Sequence, residues 1–228
     1  MISIRAHDLL WIDHPGHLRW QQPAPSWVVA HWCAGLPLVA RRDVGRPDLL
    51  PVGIRGGERA QRAAAWVAPS AVIYRVSPEA LVAGLIAGDQ RAEWQQTPGR
   101  PVADLSPEAR ELPVMRALLT LAATRWPWRW GVTGSCGYML ATGLTVSTAD
   151  SDLDLLIRCP DPRAREDFAP LLAVIAALPC RVDIQLDTPM GGMALLEWLR
   201  GASVMIKTDR GPVMTRDPWD VSTDQRTL

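Results

Sequence analysis

The second half of the chain alternates helical and extended patterns of apolar positions. Residues 113–124, 136–142, 163–178 and 193–200 read as helices, and residues 129–133, 152–158 and 181–186 as strands. A final hairpin pairs residues 203–207 with 212–215 around Asp209-Arg210-Gly211. Helices alternating with strands and closed by a hairpin predict a mixed sheet covered by helices. The first hundred residues differ. There, residues 26–30, 36–40, 51–54 and 71–76 read as short strands separated by Gly and Pro, and 78–87 as a helix with Ser77 at its N-cap. The expected fold class is α+β, with a small N-terminal α+β domain over 1–100 and a mixed-sheet domain over 106–228. The polar, Pro-rich stretch 97–107 divides them.

Charged residues interrupt these patterns at a few places, and those places carry the candidate chemistry. In the strand 152–158, Asp152 and Asp154 project to one face while Leu153 and Leu155 point to the other. Two neighbouring carboxylates on an otherwise apolar strand repel each other and are costly to bury, so a cation between them resolves both problems. Hard oxygen ligands favour Mg²⁺ (or Mn²⁺), which keeps several waters and shares phosphate oxygens with a substrate. A calcium loop would place ligands at Asp150, Asp152, Asp154 and Asp161, but Leu155 stands where its sharp turn needs glycine. A purely structural aspartate pair is the bland alternative. Asp183, in the strand 181–186, can join the other two carboxylates if the strands are neighbours, and three carboxylates can hold two metal ions. Upstream, Gly134-Ser135 forms a turn at the start of a short helix.

Composition narrows the class. A chain of 228 residues with 48% hydrophobic content can bury a sizeable core. Its net charge is zero, so no general attraction to nucleic acid is indicated and any phosphate-binding charge must be local. No apolar run approaches a membrane span, and MISIRAHDLLW is charged where a signal peptide needs an apolar core; a cytoplasmic location is the expectation. Cys33, Cys136, Cys159 and Cys180 form no CxxC pair and read as free, mostly buried thiols, and Cys136 has no nearby histidine that would activate it. The cations are 23 arginines and one lysine, Lys207, whose compact ammonium suggests a phosphate contact near a strand end.

Arg41, Arg42, Arg46, Arg55, Arg59 and Arg62 oppose only Asp43, Asp48 and Glu58. Arg55, Arg59 and Arg62 share one face if 57–66 is helical, giving a polyphosphate clamp, a docking patch for an acidic partner, or a solvated helix face. His14 and His17 flank a Pro-Gly turn with no acidic helix partner, and His7 with Asp8 reads as a local hydrogen-bonded pair. Trp126, Trp128 and Trp130 alternate as if on one face of a strand, where core packing is the expected role and stacking on an adenine the alternative.

Gly134-Ser135, Asp152-Leu153-Asp154 and Val182-Asp183-Ile184 resemble the three signature elements of the nucleotidyltransferase superfamily. Residues 7–11, 51–56, 151–155, 182–189 and 207–212 are similar, more closely, to the phosphoribosyl-dephospho-CoA transferase family, the holo-acyl-carrier-protein synthases of malonate decarboxylase. The resemblance implies phosphate binding at Gly134 and Ser135 and metal ligation by Asp152, Asp154 and Asp183. It further implies triphosphoribosyl-dephospho-CoA as donor and a serine of the apo acyl-carrier subunit of malonate decarboxylase as acceptor. Arg55, Arg59 and Lys207 are the candidate substrate contacts beside this set. Two rivals remain: another metal-dependent nucleotidyltransferase with a different acceptor, and a degenerate, non-catalytic nucleotide-binding module.

Overall fold

In a computed structural model the described residues are 4–33, 35–44, 46, 48–58, 60–86 and 105–221. Most of the expected dividing stretch 97–107 lies outside them, as does Arg59. The first sheet contains β1 (Leu9–Ile12), β2 (Leu38–Ala40), β3 (Leu50–Arg55), β4 (Arg62–Val67) and β5 (Val72–Val76), in the order β4-β3-β2-β1-β5 with every pairing antiparallel. Helices α1 (Ser26–His31) and α2 (Pro78–Ile86) accompany it. Then come α3 (Pro107–Arg110), α4 (Pro113–Ala122), β6 (Arg129–Val132), α5 (Gly134–Thr142), β7 (Leu153–Arg158) and α6 (Ala169–Ile175). The chain closes with β8 (Val182–Asp187), β9 (Gly192–Ala194), α7 (Leu195–Arg200), β10 (Val204–Thr208) and β11 (Gly211–Thr215). The second sheet runs β11-β10-β9-β8-β7-β6, with β7 and β8 parallel and the other pairs antiparallel. Helices and two sheets make an α+β fold, as the sequence pattern indicates.

Several expectations need correction. Residues 26–30 form a helix: one turn buries Val28 in the core of the first sheet and leaves Val29 76% exposed, a split that the β-branched composition alone does not reveal. Residues 62–66, read as part of a possible helix over 57–66, lie instead in β4; Gly56 donates its N–H to the Gln61 carbonyl (2.8 Å), so Arg55 and Arg62 are cross-strand partners. The alanines of β4 carry little strand signal, and burial of Ala65 and Val67 supplies it instead. The helix expected over 193–200 begins only at Leu195, because Gly192 to Ala194 pair with β8. That over 163–178 is a short 3₁₀ turn followed by α6. Trp126 and Trp128 precede β6, so only Trp130 lies in a strand; Trp126 stacks on Trp128 (6.1 Å) and Trp128 on Phe168 (4.9 Å), in the core-packing role.

β1 shows how the two sheets are joined. Its four residues are all buried, but Leu10 and Ile12 enter the core of the first sheet, while Leu9 and Trp11 enter the larger core beneath the second. α2 extends that second contact by lying on β6, with its backbone so close that a Cβ on Gly131 would fall 2.2 Å from the Pro78 carbonyl carbon. Ser77 caps α2 by accepting from the Ala80 N–H (3.2 Å).

Charge completes the join. Arg158, at the end of β7 with its side chain only 6% exposed, donates to Glu79 of α2 (2.8 Å) and Asp187 of β8 (2.6 Å) and approaches Asp8 (3.9 Å). Asp8 also pairs with Arg75 of β5 (2.9 Å), Glu79 with Arg5 (3.1 Å), and Asp187 with Arg42 beyond β2. Burial alone would raise the Glu79 pKa, but the hydrogen bond and charge of Arg158 outweigh it and bring the carboxyl down to about 2 from 4.5.

Two outcomes are expected from this network. Arg158→Met removes the shared cation and leaves buried carboxylates uncompensated, which should cost about 3–5 kcal/mol in urea unfolding. Glu79 holds its proton more weakly when folded, so its contribution is fully present above pH 4.5 and is lost as the pH falls toward about 2. The melting temperature should therefore drop across that window, and less steeply in Glu79→Gln.

Candidate active site

The site starts from a geometric constraint at the end of β6. After Val132 the backbone turns at Thr133, whose N–H donates to the Asp154 carbonyl (2.9 Å), and Gly134 then adopts φ +62 at the start of α5. Only glycine fits there, because a Cβ would come within 1.9 Å of Asp154 Oδ2. No side chain caps this helix end, so the first-turn amides and the Ser135 hydroxyl are available to an anion.

Asp154 and Asp183 are register partners on the parallel strands β7 and β8, and Asp152 precedes Asp154 on the same face. Leu153 and Leu155 are buried on the other side. Asp154 and Asp183 therefore stand side by side, and Asp152, just before β7, lines the same cleft. Asp183 receives contacts on both of its oxygens from Arg181 (3.0 Å each), an exposed residue just before β8. Among the described residues no group of three or more His, Cys, Asp or Glu side chains is assembled that could hold a metal ion. The register pair Asp154 and Asp183 is a donor set of the kind Mg²⁺ accepts, since that ion binds through one or two carboxylates and completes its shell with substrate phosphates and water.

These groups open into one cleft of about 1340 Å³ between the sheets. Gly134, Ser135, Asp152, Asp154, Asp183, Arg55 and Lys207 all line it, although Arg55 and Lys207 come from opposite ends of the chain. Arg62 and Arg41 line it too, and Arg55 lies 5.6 Å from the Tyr138 ring on α5. Arg59 lies outside the described residues. No tryptophan lines the cleft among the described residues.

Residues 5–78 match the family described as the phosphoribosyl-dephospho-CoA transferase MdcG N-terminal domain, and residues 102–218 match its C-terminal domain. The chain belongs to this transferase family. A phosphoribosyl-dephospho-CoA transferase of Klebsiella pneumoniae is 45% identical over 94% of this chain and 96% of its own length. Proteins of the same name are similar at 42% identity in Azotobacter vinelandii (93% of each chain) and 40% in Pseudomonas aeruginosa (95% of this chain, 94% of that one). No solved structure matches the chain. Among the described residues no helix is long and apolar enough to cross a membrane.

Two cleft residues of this family member meet only through the tertiary fold. His7 does not pair with Asp8. Asp8 turns into the ion network, while His7 lines the cleft and its Nε2 shares a hydrogen bond with the Gln185 amide (2.8 Å). His7 also has φ +75, the one left-handed non-glycine among the described residues, a conformation that costs on the order of 1–3 kcal/mol and that the tertiary structure must hold. Burial, aided by Arg42, lowers its pKa to about 4, so the ring is neutral near pH 7. Its partner lies 178 positions away, which no local pattern can register.

Cys136 packs at 3.7 Å from Met115 Sδ, and burial pushes its thiol up to about 12, so it supplies no nucleophile. Cys159 is likewise buried, whereas Cys33 is exposed, contrary to the expectation for most thiols.

The carboxylates of this transferase family member are electrostatically coupled. Asp154 is raised above the ordinary carboxylate range, first by burial and then by the charges of Asp183 and Asp152; Arg62 and Arg55 act the other way. With Asp183→Asn one of the repelling charges is gone, and the Asp154 midpoint in metal-free protein should move down toward the ordinary range. Carboxyl NMR titration checks this, and an unmoved midpoint would show that the two groups are not coupled.

Proposed function

We propose that this cleft transfers the phosphoribosyl-dephospho-CoA group from triphosphoribosyl-dephospho-CoA to a serine of the apo acyl-carrier subunit of malonate decarboxylase, releasing diphosphate. The observation that carries the reading is the register of Asp154 beside Asp183, directly below the glycine turn that opens α5. The relatives, named phosphoribosyl-dephospho-CoA transferases, supply the transferred group.

In this reading the first-turn amides of α5 and the Ser135 hydroxyl receive the terminal phosphates of the donor. Arg55 and Arg62, cross-strand neighbours facing Asp154, balance the negative charge of the departing diphosphate, with Arg59 as a further candidate. Asp152, Asp154 and Asp183 would hold Mg²⁺ or Mn²⁺, which when bound neutralises phosphate charge and so eases departure of the diphosphate. Asp183 takes up the proton of the attacking serine hydroxyl. The serine Oγ then forms a bond to the α-phosphorus as the bond to the diphosphate oxygen opposite it breaks. Lys207, on β10 at the far side of the cleft, contacts the remainder of the donor. The reaction is placed in the cytoplasm, in keeping with four free cysteines.

Intact-mass spectrometry of the apo carrier subunit tests this. Incubation with the protein, Mg²⁺ and the triphosphoribosyl donor should add the mass of one phosphoribosyl-dephospho-CoA group, whereas ATP or CTP should add nothing. Asp152→Ala and Asp154→Ala should each reduce transfer by on the order of 10³-fold with little change in melting temperature, because each removes a charge facing the cleft and no packing contact. A mass gain with ATP alone would assign the same carboxylates to a different nucleotidyltransferase.

A further inference from the structure

The cleft changes character between its carboxylates and Lys207. β8 presents Asp183, Gln185 and Asp187 on one face with a period of two, and their surroundings differ. Asp183 stands beside Asp154, and Asp187 is enclosed by Arg158 and Arg42. Gln185 lies between them, bonded to His7. Its amide rests over Gly192 of β9, where a Cβ would fall 2.4 Å from Nε2, so the facing strand leaves room for the amide by presenting no side chain. His7 is fixed from its other side by the N–H it donates to the Ala40 carbonyl (2.8 Å) and by its left-handed backbone.

An uncharged pair of hydrogen-bonding groups is thus built into a cleft whose other polar groups are mostly charged. The lining also includes Leu196 (41% exposed) and Met205 (39% exposed), two large apolar side chains. Lys207 stands beside the neutral pair: its register partner is Gly192, the residue under the Gln185 amide, and its charge acts on the His7 ring. Apart from its carboxylates and arginines, the cleft thus combines a neutral hydrogen-bonding pair, apolar side chains and a single ammonium. That combination suits a sugar, a heterocyclic base and a second phosphate group.

We propose that His7 and Gln185 read ribose hydroxyls of the transferred dephospho-CoA group, that its base lies against Leu196 and Met205, and that Lys207 holds its internal diphosphate. This rests on the donor assigned above and adds the means of selecting it. A bare nucleoside triphosphate fills the phosphate end of the cleft and can offer ribose hydroxyls to the His7–Gln185 pair, but it has no second diphosphate and leaves Lys207 empty. Sites that hydrogen-bond a substrate hydroxyl reject compounds lacking it, because their own polar groups are left unpaired. A neutral reader also adds no charge that would compete with the phosphate sites for the donor's anionic groups.

Two probes separate the halves of the cleft: 3′-dephospho-CoA and tripolyphosphate with Mg²⁺, each measured by titration calorimetry. His7→Gly retains the left-handed backbone and removes the ring, and Gln185→Ala removes the amide without touching His7. Each should weaken 3′-dephospho-CoA binding by about tenfold, the effect of one hydrogen bond, and leave tripolyphosphate binding unchanged. Asp154→Asn should show the opposite pattern. If the wild-type protein modifies the carrier subunit, but 3′-dephospho-CoA either fails to bind it or binds both variants equally well, the subsite is wrong and the proposed reaction stands. If the wild-type protein neither modifies the carrier nor binds either probe, the proposed reaction fails and the subsite falls with it.

Discussion

The structure depends on the burial of one guanidinium. Arg158 ends a strand that is leucine and isoleucine apart from Asp154 near its start, and a cation there is tolerable only if anions are brought to it. Glu79, Asp187 and, at longer range, Asp8 do so, from α2, β8 and the residue just before β1. Because a guanidinium presents its donors in a fixed plane, the partners cannot slide without losing a bond. Such a cluster contributes less to net stability than its bond count suggests, since every charge in it has been desolvated. What it does supply is orientation: the first sheet, α2 and the second sheet meet in one relative position, and the apolar faces of β1 then pack on both sides.

That fixed position makes the cleft. The second sheet alone offers carboxylates and the uncapped start of α5, which attract cations and anions respectively but enclose neither. The first sheet brings Arg55 and Arg62 opposite Asp154, and His7 opposite Gln185. β8 links the two roles within one strand. Asp183 stands beside Asp154 in the cleft, Asp187 in the ion network, and Gln185 between them, so the period of two carries the architecture of the join directly into the cleft. A shift of the join by one strand register would move all three side chains to the buried face.

The readability of the chain followed the range of the interactions involved. Helices α2, α4 and α5 and strands β6, β7, β8 and β10 are visible as local patterns, because each has a sufficient run of apolar residues or a capping residue such as Ser77. α1 was hidden by its adjacent valines, which favour a strand until tertiary packing separates a buried Val28 from an exposed Val29. β4 was hidden by alanines, and β1 by its brevity; its four residues alternate between two cores, so that no polar position marks its period. The family was legible because its resemblance lies in short, locally ordered segments, such as Gly134 with Ser135 and Asp152 with Asp154.

The sequence by itself determined which groups stand together locally at the start of α5 and β7. Glycine is required where Asp154 approaches the backbone, and carboxylates two residues apart on a strand must share a face, whatever the rest of the fold does. The tertiary structure decided what those groups face. Arg62 opposite Asp154, Gln185 beside His7 and Arg158 among three carboxylates are contacts across 29 to 178 positions of chain. No local periodicity encodes such distances; they arise when buried charges and two apolar cores find one arrangement that satisfies them together.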